Sequence, residues 1–95
     1  MLRLGEDDKR FVETIGDPSR LRILLALWKS DRELRVYKIC RFTGLGRSSV
    51  KRHLDRLVES GLVSKKIYGE IALYSVNKRN PRSNALANFF EEARL

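Results

Sequence analysis

At 95 residues, with 42% apolar and 34% charged side chains, the chain has the composition of one folded domain rather than of a disordered segment. A single cysteine, Cys40, excludes an intrachain disulfide and a cysteine-based zinc site, and the longest apolar run, Ile23–Trp28, is far too short to span a bilayer. Twenty Lys and Arg against twelve Asp and Glu give a net charge of +8, a balance that attracts polyanions, nucleic acid foremost.

The positive charge is central. Residues 17–46 carry seven basic side chains against three acidic, and residues 47–79 carry eight against three, whereas residues 1–16 are slightly acidic and residues 80–95 neutral. That layout suits a DNA-facing centre with ends committed to another task. Met1–Arg10 is charged almost throughout, unlike a secretory leader, so the expected location is the cytoplasm. A chain this short buries a modest core as one domain over residues 1–95, and a partner subunit would help to cover it.

Taken in chain order, Phe11, Val12 and Ile15 give a first helix over about residues 6–15 one apolar face, and Gly16 stops it. Asp17-Pro18 opens a second helix, the carboxylate capping free N–H groups and the proline standing where no donor is needed. Leu21, Leu24, Leu25 and Trp28 follow at i, i+3, i+4 and i+7, with Ile23 and Leu27 widening the stripe, so this helix is expected at the centre of the core. A charged connector, Ser30–Arg35, leads to a third helix with Val36, Ile39, Cys40 and Thr43. Gly44 ends it in a sharp turn. A fourth helix runs from about Arg47 to Ser60, with Gly46 as N-cap, Leu45 and Val50 as a hydrophobic staple, and Gly61 with Leu62 closing the far end. Helix, glycine turn and capped helix over about residues 36–60 make a helix-turn-helix.

Beyond Gly61 the period changes to two. Val63, Lys65 and Ile67, then Ile71 and Leu73, alternate with their neighbours around a Tyr68-Gly69-Glu70 connection, a hairpin wing over about residues 62–77. Asn80-Pro81 opens a last helix, about residues 81–94, with Leu86, Phe89, Phe90 and Ala93 at helical spacing. The expected fold is mainly α with a small β-hairpin, an α+β winged helix-turn-helix in the order α-α-α-α-β-β-α.

In the fourth helix Val50, Leu54 and Leu57 share one face, with Val58 beside it; Ser48, Arg52, Asp55, Arg56 and Glu59 lie opposite and Ser49 and Lys51 flank them. With Arg47 projecting from the first turn, the N-terminal half of this helix is the expected reading edge in a major groove. Lys65, Lys66 and Tyr68 of the wing are the expected backbone or minor-groove contacts. His53 falls beside the apolar face, where a packed, hydrogen-bonded role outweighs base reading. No Ser-His-Asp, Cys-His or paired-carboxylate set is assembled, so no enzyme is expected. The alternative is a winged-helix module that binds protein in a transcription or repair assembly. The scarcity of clustered aromatics argues against single-strand or RNA binding.

Ile15-Gly16-Asp17-Pro18-Ser19-Arg20-Leu21-Arg22-Ile23-Leu24 resembles the opening of arsenic-repressor-type (ArsR/SmtB-like) winged-helix regulators. Thr43-Gly44-Leu45, Ser48–Leu54 with Leu57, and Glu59-Ser60-Gly61-Leu62-Val63 resemble their recognition helix and the start of their wing. Together the matches span Ile15–Val76. The resemblance implies a homodimer on an imperfect palindrome of double-stranded DNA, regulating a promoter. It also implies a dimer interface from the first and last helices, here Phe11, Val12 and Ile15 with Leu86, Phe89 and Phe90. Metal sensors of the family carry a Cys-x-Cys pair entering the third helix. Here the stretch is Glu33-Leu34-Arg35-Val36-Tyr37, so neither a metal nor another cofactor is expected. Cys40 stands where the family places a small buried residue, which favours packing over redox sensing.

Overall fold

A computed structural model describes residues 2–95. It contains α1 (Glu6–Ile15), α2 (Pro18–Ser30), α3 (Val36–Thr43), α4 (Arg47–Glu59), β1 (Val63–Tyr68), β2 (Ile71–Val76) and α5 (Pro81–Glu92). The order is that of a winged helix, as the sequence leads one to expect. The helix boundaries have local causes. Asp17 accepts from the amides of Ser19 and Arg20 ahead of α2, and Asn80 accepts from Arg82 ahead of α5, with Pro18 and Pro81 at the first helical positions. Gly44, at φ 74°, ends α3 in the left-handed region. After α4, Gly61 at φ 81° lets the Leu62 amide reach back to the Leu57 carbonyl at 3.1 Å. Gly16 is small for a different reason: its φ of −71° is ordinary, but a Cβ there would stand 2.8 Å from the Val12 carbonyl oxygen.

The core forms where α2, α3 and α4 meet. Ile23 and Leu27 of α2, Ile39 of α3, and Val50, Leu54 and Leu57 of α4 are fully buried, with Leu62 beneath them. Burying each such aliphatic side chain stabilises the fold by about 1.5–3 kcal/mol relative to exposure. Trp28 and Phe90 meet with ring centroids 5.8 Å apart, fastening α5 over the end of α2.

The strands pair antiparallel, Val63 opposite Val76 and Tyr68 opposite Ile71, around a two-residue turn in which Gly69 has φ 62°. Tyr68 therefore belongs to β1 rather than to the connection. The charged connector holds a pairing that periodicity does not announce. Leu34 exchanges both backbone hydrogen bonds with Tyr74, at 2.8 and 2.9 Å, so the segment before α3 adds a third short strip to the wing. This bridge fixes the base of the wing to the helices: Leu34, Val63 and Tyr74 are buried there.

The Arg20 side chain joins α1, α2 and α4. Its guanidinium donates to the Thr14 and Glu13 carbonyls at the end of α1, lies 3.8 Å from the Asp17 carboxylate, and reaches Nδ1 of His53 at 3.2 Å. Arginine only donates, so Nδ1 is the acceptor and the neutral His53 ring carries its proton on Nε2. Burial above all, then the Arg20 and Arg52 charges, lowers the His53 pKa from its ordinary 6.5, while the Asp17 carboxylate pulls the other way. Burial works against the Asp17 carboxylate, but the Ser19 and Arg20 amides and the His53 and Arg20 charges more than offset it and hold its pKa below the usual value.

Just below pH 6.5 the unfolded chain therefore takes a proton on His53 that the folded chain refuses. The contribution of neutral His53 is full above that pH and is lost as the pH falls through the window beneath it. Thermal unfolding should show stability falling by up to about 1.4 kcal/mol per pH unit there, with His53→Gln flattening the slope. Superimposable slopes for the two proteins would remove His53 from this role.

Candidate nucleic-acid interface

Helix α4 is divided lengthwise. Val50, Leu54 and Leu57 are held in the core, and His53, 7% exposed, is tied to Arg20, so the remaining face points outward. That face carries Arg47, Ser48, Lys51, Arg52 and Arg56, all exposed, with Ser49 half-buried at its flank. Asp55 and Glu59 are also exposed but lie in the second half of the helix. The N-terminal half is thus basic and hydroxyl-rich. Gly46 offers no side chain to cap α4, so the first-turn N–H groups receive no side-chain cap and the positive end of the helix dipole faces outward.

Lys65, Lys66 and Tyr68 are exposed on the wing. The register separates the two lysines that the sequence presents as a pair. Lys65 opposes Tyr74, with Nζ 5.9 Å from its ring, whereas Lys66 opposes Leu73 and points to the other face of the hairpin. The wing is buried only at its base. Toward the tip Ile67 and Tyr68 are 66% and 54% exposed, so the apolar alternation continues past the edge of the core.

The cations divide into two groups. Arg20 is committed to the α1 carbonyls and His53, Arg22 donates to the Thr43 carbonyl at 3.0 Å, and Lys78 pairs with Asp31 at 3.3 Å. Arg82 bridges Asp7 and Asp8 at 2.9 and 3.3 Å and lies 4.6 Å over the Phe11 ring. Among the described residues, Arg47, Lys51, Arg52, Arg56, Lys65 and Lys66 form no ion pair and no side-chain hydrogen bond within the chain. Side chains that are charged, exposed and unpaired remain available to phosphates and base edges.

At the ends of the chain the apolar residues separate. Val12 and Phe89 are 54% and 59% exposed, while Phe11, Ile15 and Leu86 are half-buried against the core. Phe90 departs from the expectation that it faces a second subunit. It is 4% exposed and packs on Trp28, because the turn of α5 that presents Phe89 outward rotates Phe90 inward. Arg82, which binds the start of α5 to α1, carries no sequence signal beyond its charge. Cys40 is half-buried, and no group of three or more His, Cys, Asp or Glu among the described residues is arranged to hold a metal ion. Likewise no helix among them is long and apolar enough to cross a membrane.

Solved structures share this arrangement. The transcriptional repressor PagR of Bacillus anthracis is 28% identical, with 90% of this chain and 93% of PagR covered at a TM-score of 0.74. A predicted DNA-binding transcriptional regulator from E. coli is 27% identical, with coverages of 93% and 90% and a TM-score of 0.78. The homodimeric winged helix-turn-helix DNA-binding domain Mb0332 from Mycobacterium bovis shares the fold at 20% identity, with coverages of 99% and 90% and a TM-score of 0.74. No curated protein matches the chain in sequence. The model of the bacterial regulatory protein arsR family matches residues 17–65, from the cap of α2 through the helix-turn-helix into the wing, and with just over half of its length so matched the chain belongs to that family.

Proposed function

We propose that this chain is a sequence-specific, double-stranded DNA-binding transcriptional regulator that works as a homodimer in the cytoplasm, by binding rather than catalysis. The observation that carries this reading is the unpaired basic face of α4 beside an equally unpaired wing. Arg47, Ser48, Ser49, Lys51 and Arg52 read or position at the major groove, and Arg56 lies nearer the backbone. Lys65, Lys66 and Tyr68 contact backbone or minor groove. Val12 and Phe89 give α1 and α5 an outward apolar surface suited to a second subunit, with Phe11, Ile15 and Leu86 supporting it from below. Metal sensing is not part of the proposal: Arg35 and Tyr37 stand where the sensors of the family carry cysteines, and among the described residues no group of three or more His, Cys, Asp or Glu is arranged to hold a metal ion.

A second reading, a protein-binding winged helix, draws on the exposed apolar tip of the wing at Ile67 and Tyr68. Salt separates the two. DNA binding through the basic face predicts affinity for duplex falling linearly with salt on logarithmic axes, with a slope of about −0.9 per phosphate contact. No duplex binding at low salt would leave the protein-binding reading standing.

Selection from a random duplex pool supplies the sequence for two substitutions. Arg52→Ala should cost about 1–3 kcal/mol on the selected duplex and relax preference at one position of each half-site. Lys66→Ala should weaken all duplexes alike and shrink the salt slope by about one contact per protomer. Identical behaviour of the two variants would remove the division between reading and positioning. Sedimentation of Val12→Asp/Phe89→Asp should shift from dimer to monomer, and an unchanged dimer would place the interface elsewhere.

A further inference from the structure

Between α2 and α3, on a side of the molecule that neither the basic face nor the outward apolar stripe occupies, lies an open groove of about 590 Å³. Two ridges build it. Arg22, Leu25, Ala26 and Lys29 follow one another at helical spacing along α2, and Leu34, Lys38 and Phe42 run along the start and outer edge of α3. No residue of α1, α4, α5 or the β1–β2 hairpin lines it.

Its floor is apolar. Leu34 is 6% exposed, Leu25 and Ala26 are half-buried, and Phe42 forms one wall while remaining 59% exposed. The rim is cationic throughout: Arg22, Lys29, Arg32 and Lys38, with no carboxylate among the lining residues. Lys29 and Lys38 form no ion pair or side-chain hydrogen bond, nor does the Arg32 guanidinium. The acids of the same connector, Asp31 and Glu33, line instead the neighbouring cleft against the wing, which shares Arg32 with this groove.

We propose that this groove binds a small amphipathic carboxylate, an organic acid whose apolar body lies on Leu25, Ala26 and Phe42 and whose charged end meets Lys38 and its neighbours. The volume falls within the roughly 300–1,000 Å³ of small-molecule clefts, and an apolar floor with a few convergent polar groups is their usual character. One sign of charge around the whole rim selects an anion over a neutral or cationic compound of the same body. Arg22 links the groove to the interface described above. Its guanidinium holds the Thr43 carbonyl at 3.0 Å, on the last residue of α3 before the Gly44 turn. An acid that draws on Arg22 acts at the residue from which α4 is suspended.

The probe is sodium octanoate, added to the isotope-labelled full chain and followed by amide chemical shifts, with octan-1-ol and octylammonium as controls. Saturable shifts confined to the second half of α2, residues 32–34 and α3 are expected with octanoate, with weaker ones for octanol and none for octylammonium. Lys38→Glu and Phe42→Ala, both at exposed positions, should keep the dispersed spectrum of the fold and each weaken octanoate by about tenfold. The proposal is overturned by the absence of saturable octanoate shifts, by octylammonium binding as tightly, by shifts centred on α1, α5 or α4, or by Lys38→Glu binding octanoate as the unchanged protein does.

Discussion

One helix serves the core and the outside at once, and the rest of the fold follows from that constraint. Val50, Leu54 and Leu57 of α4 are among the seven largest fully buried side chains. A side chain packed at crystalline density leaves its helix little freedom to rotate. The outward positions of α4 are therefore fixed by the burial of the inward ones, and Arg47, Lys51 and Arg52 project from a rigid edge rather than a mobile loop. Any loss of packing at Leu54 or Leu57 would disturb both stability and the placement of the basic face.

Polar joints extend this rigidity to both ends of the chain. Arg20 connects the last carbonyls of α1 to His53 in the middle of α4. At the far end of α4 the Gly61 carbonyl accepts from the side-chain amides of both Asn77 and Asn80, at 2.7 and 3.1 Å, and the Ser83 hydroxyl donates to the Leu62 carbonyl at 3.0 Å. The close of α4 is thereby tied to the exit of the wing and the start of α5. Arg82 then joins α5 to α1 through Asp7, Asp8 and Phe11. If α1 and α5 meet a second subunit, its position is transmitted to α4 through short hydrogen bonds rather than flexible segments.

Most of the fold was legible in the sequence because its boundaries are local chemistry. Asp17-Pro18, Gly44, Gly61 with Leu62, and Asn80-Pro81 each fix a few torsions or satisfy a few amides irrespective of the rest of the chain, and each stands at an observed element end. The outward face of α4 was legible for the same reason, since helical spacing alone divides Val50 and Leu54 from Arg52. The sequence did not disclose what depends on distant partners. The Leu34–Tyr74 bridge joins segments separated by two helices and a strand and has no periodic signal. Phe89 and Phe90 belong to one stripe by spacing, and only the position of Trp28 decides which one enters the core. Lys65 and Lys66 look alike until the hairpin register sends them to opposite faces.

The charge of the chain carries the same lesson. A net +8 is a property of composition, and composition does not distinguish Arg20 from Arg52. In the folded chain Arg20 is 13% exposed at its side chain and spends its donors on carbonyls, a carboxylate and an imidazole. Arg52 is exposed and unpaired. Truncating the first would leave buried acceptors unsatisfied, while truncating the second removes a group that only a partner can use. The electrostatic footprint of this protein is therefore set by the cations that folding leaves over. Among them are Arg47, Lys51, Arg52 and Arg56 along α4, Lys65 and Lys66 on the wing, and Lys29, Arg32 and Lys38 around the α2–α3 groove, three places that composition alone treats as one.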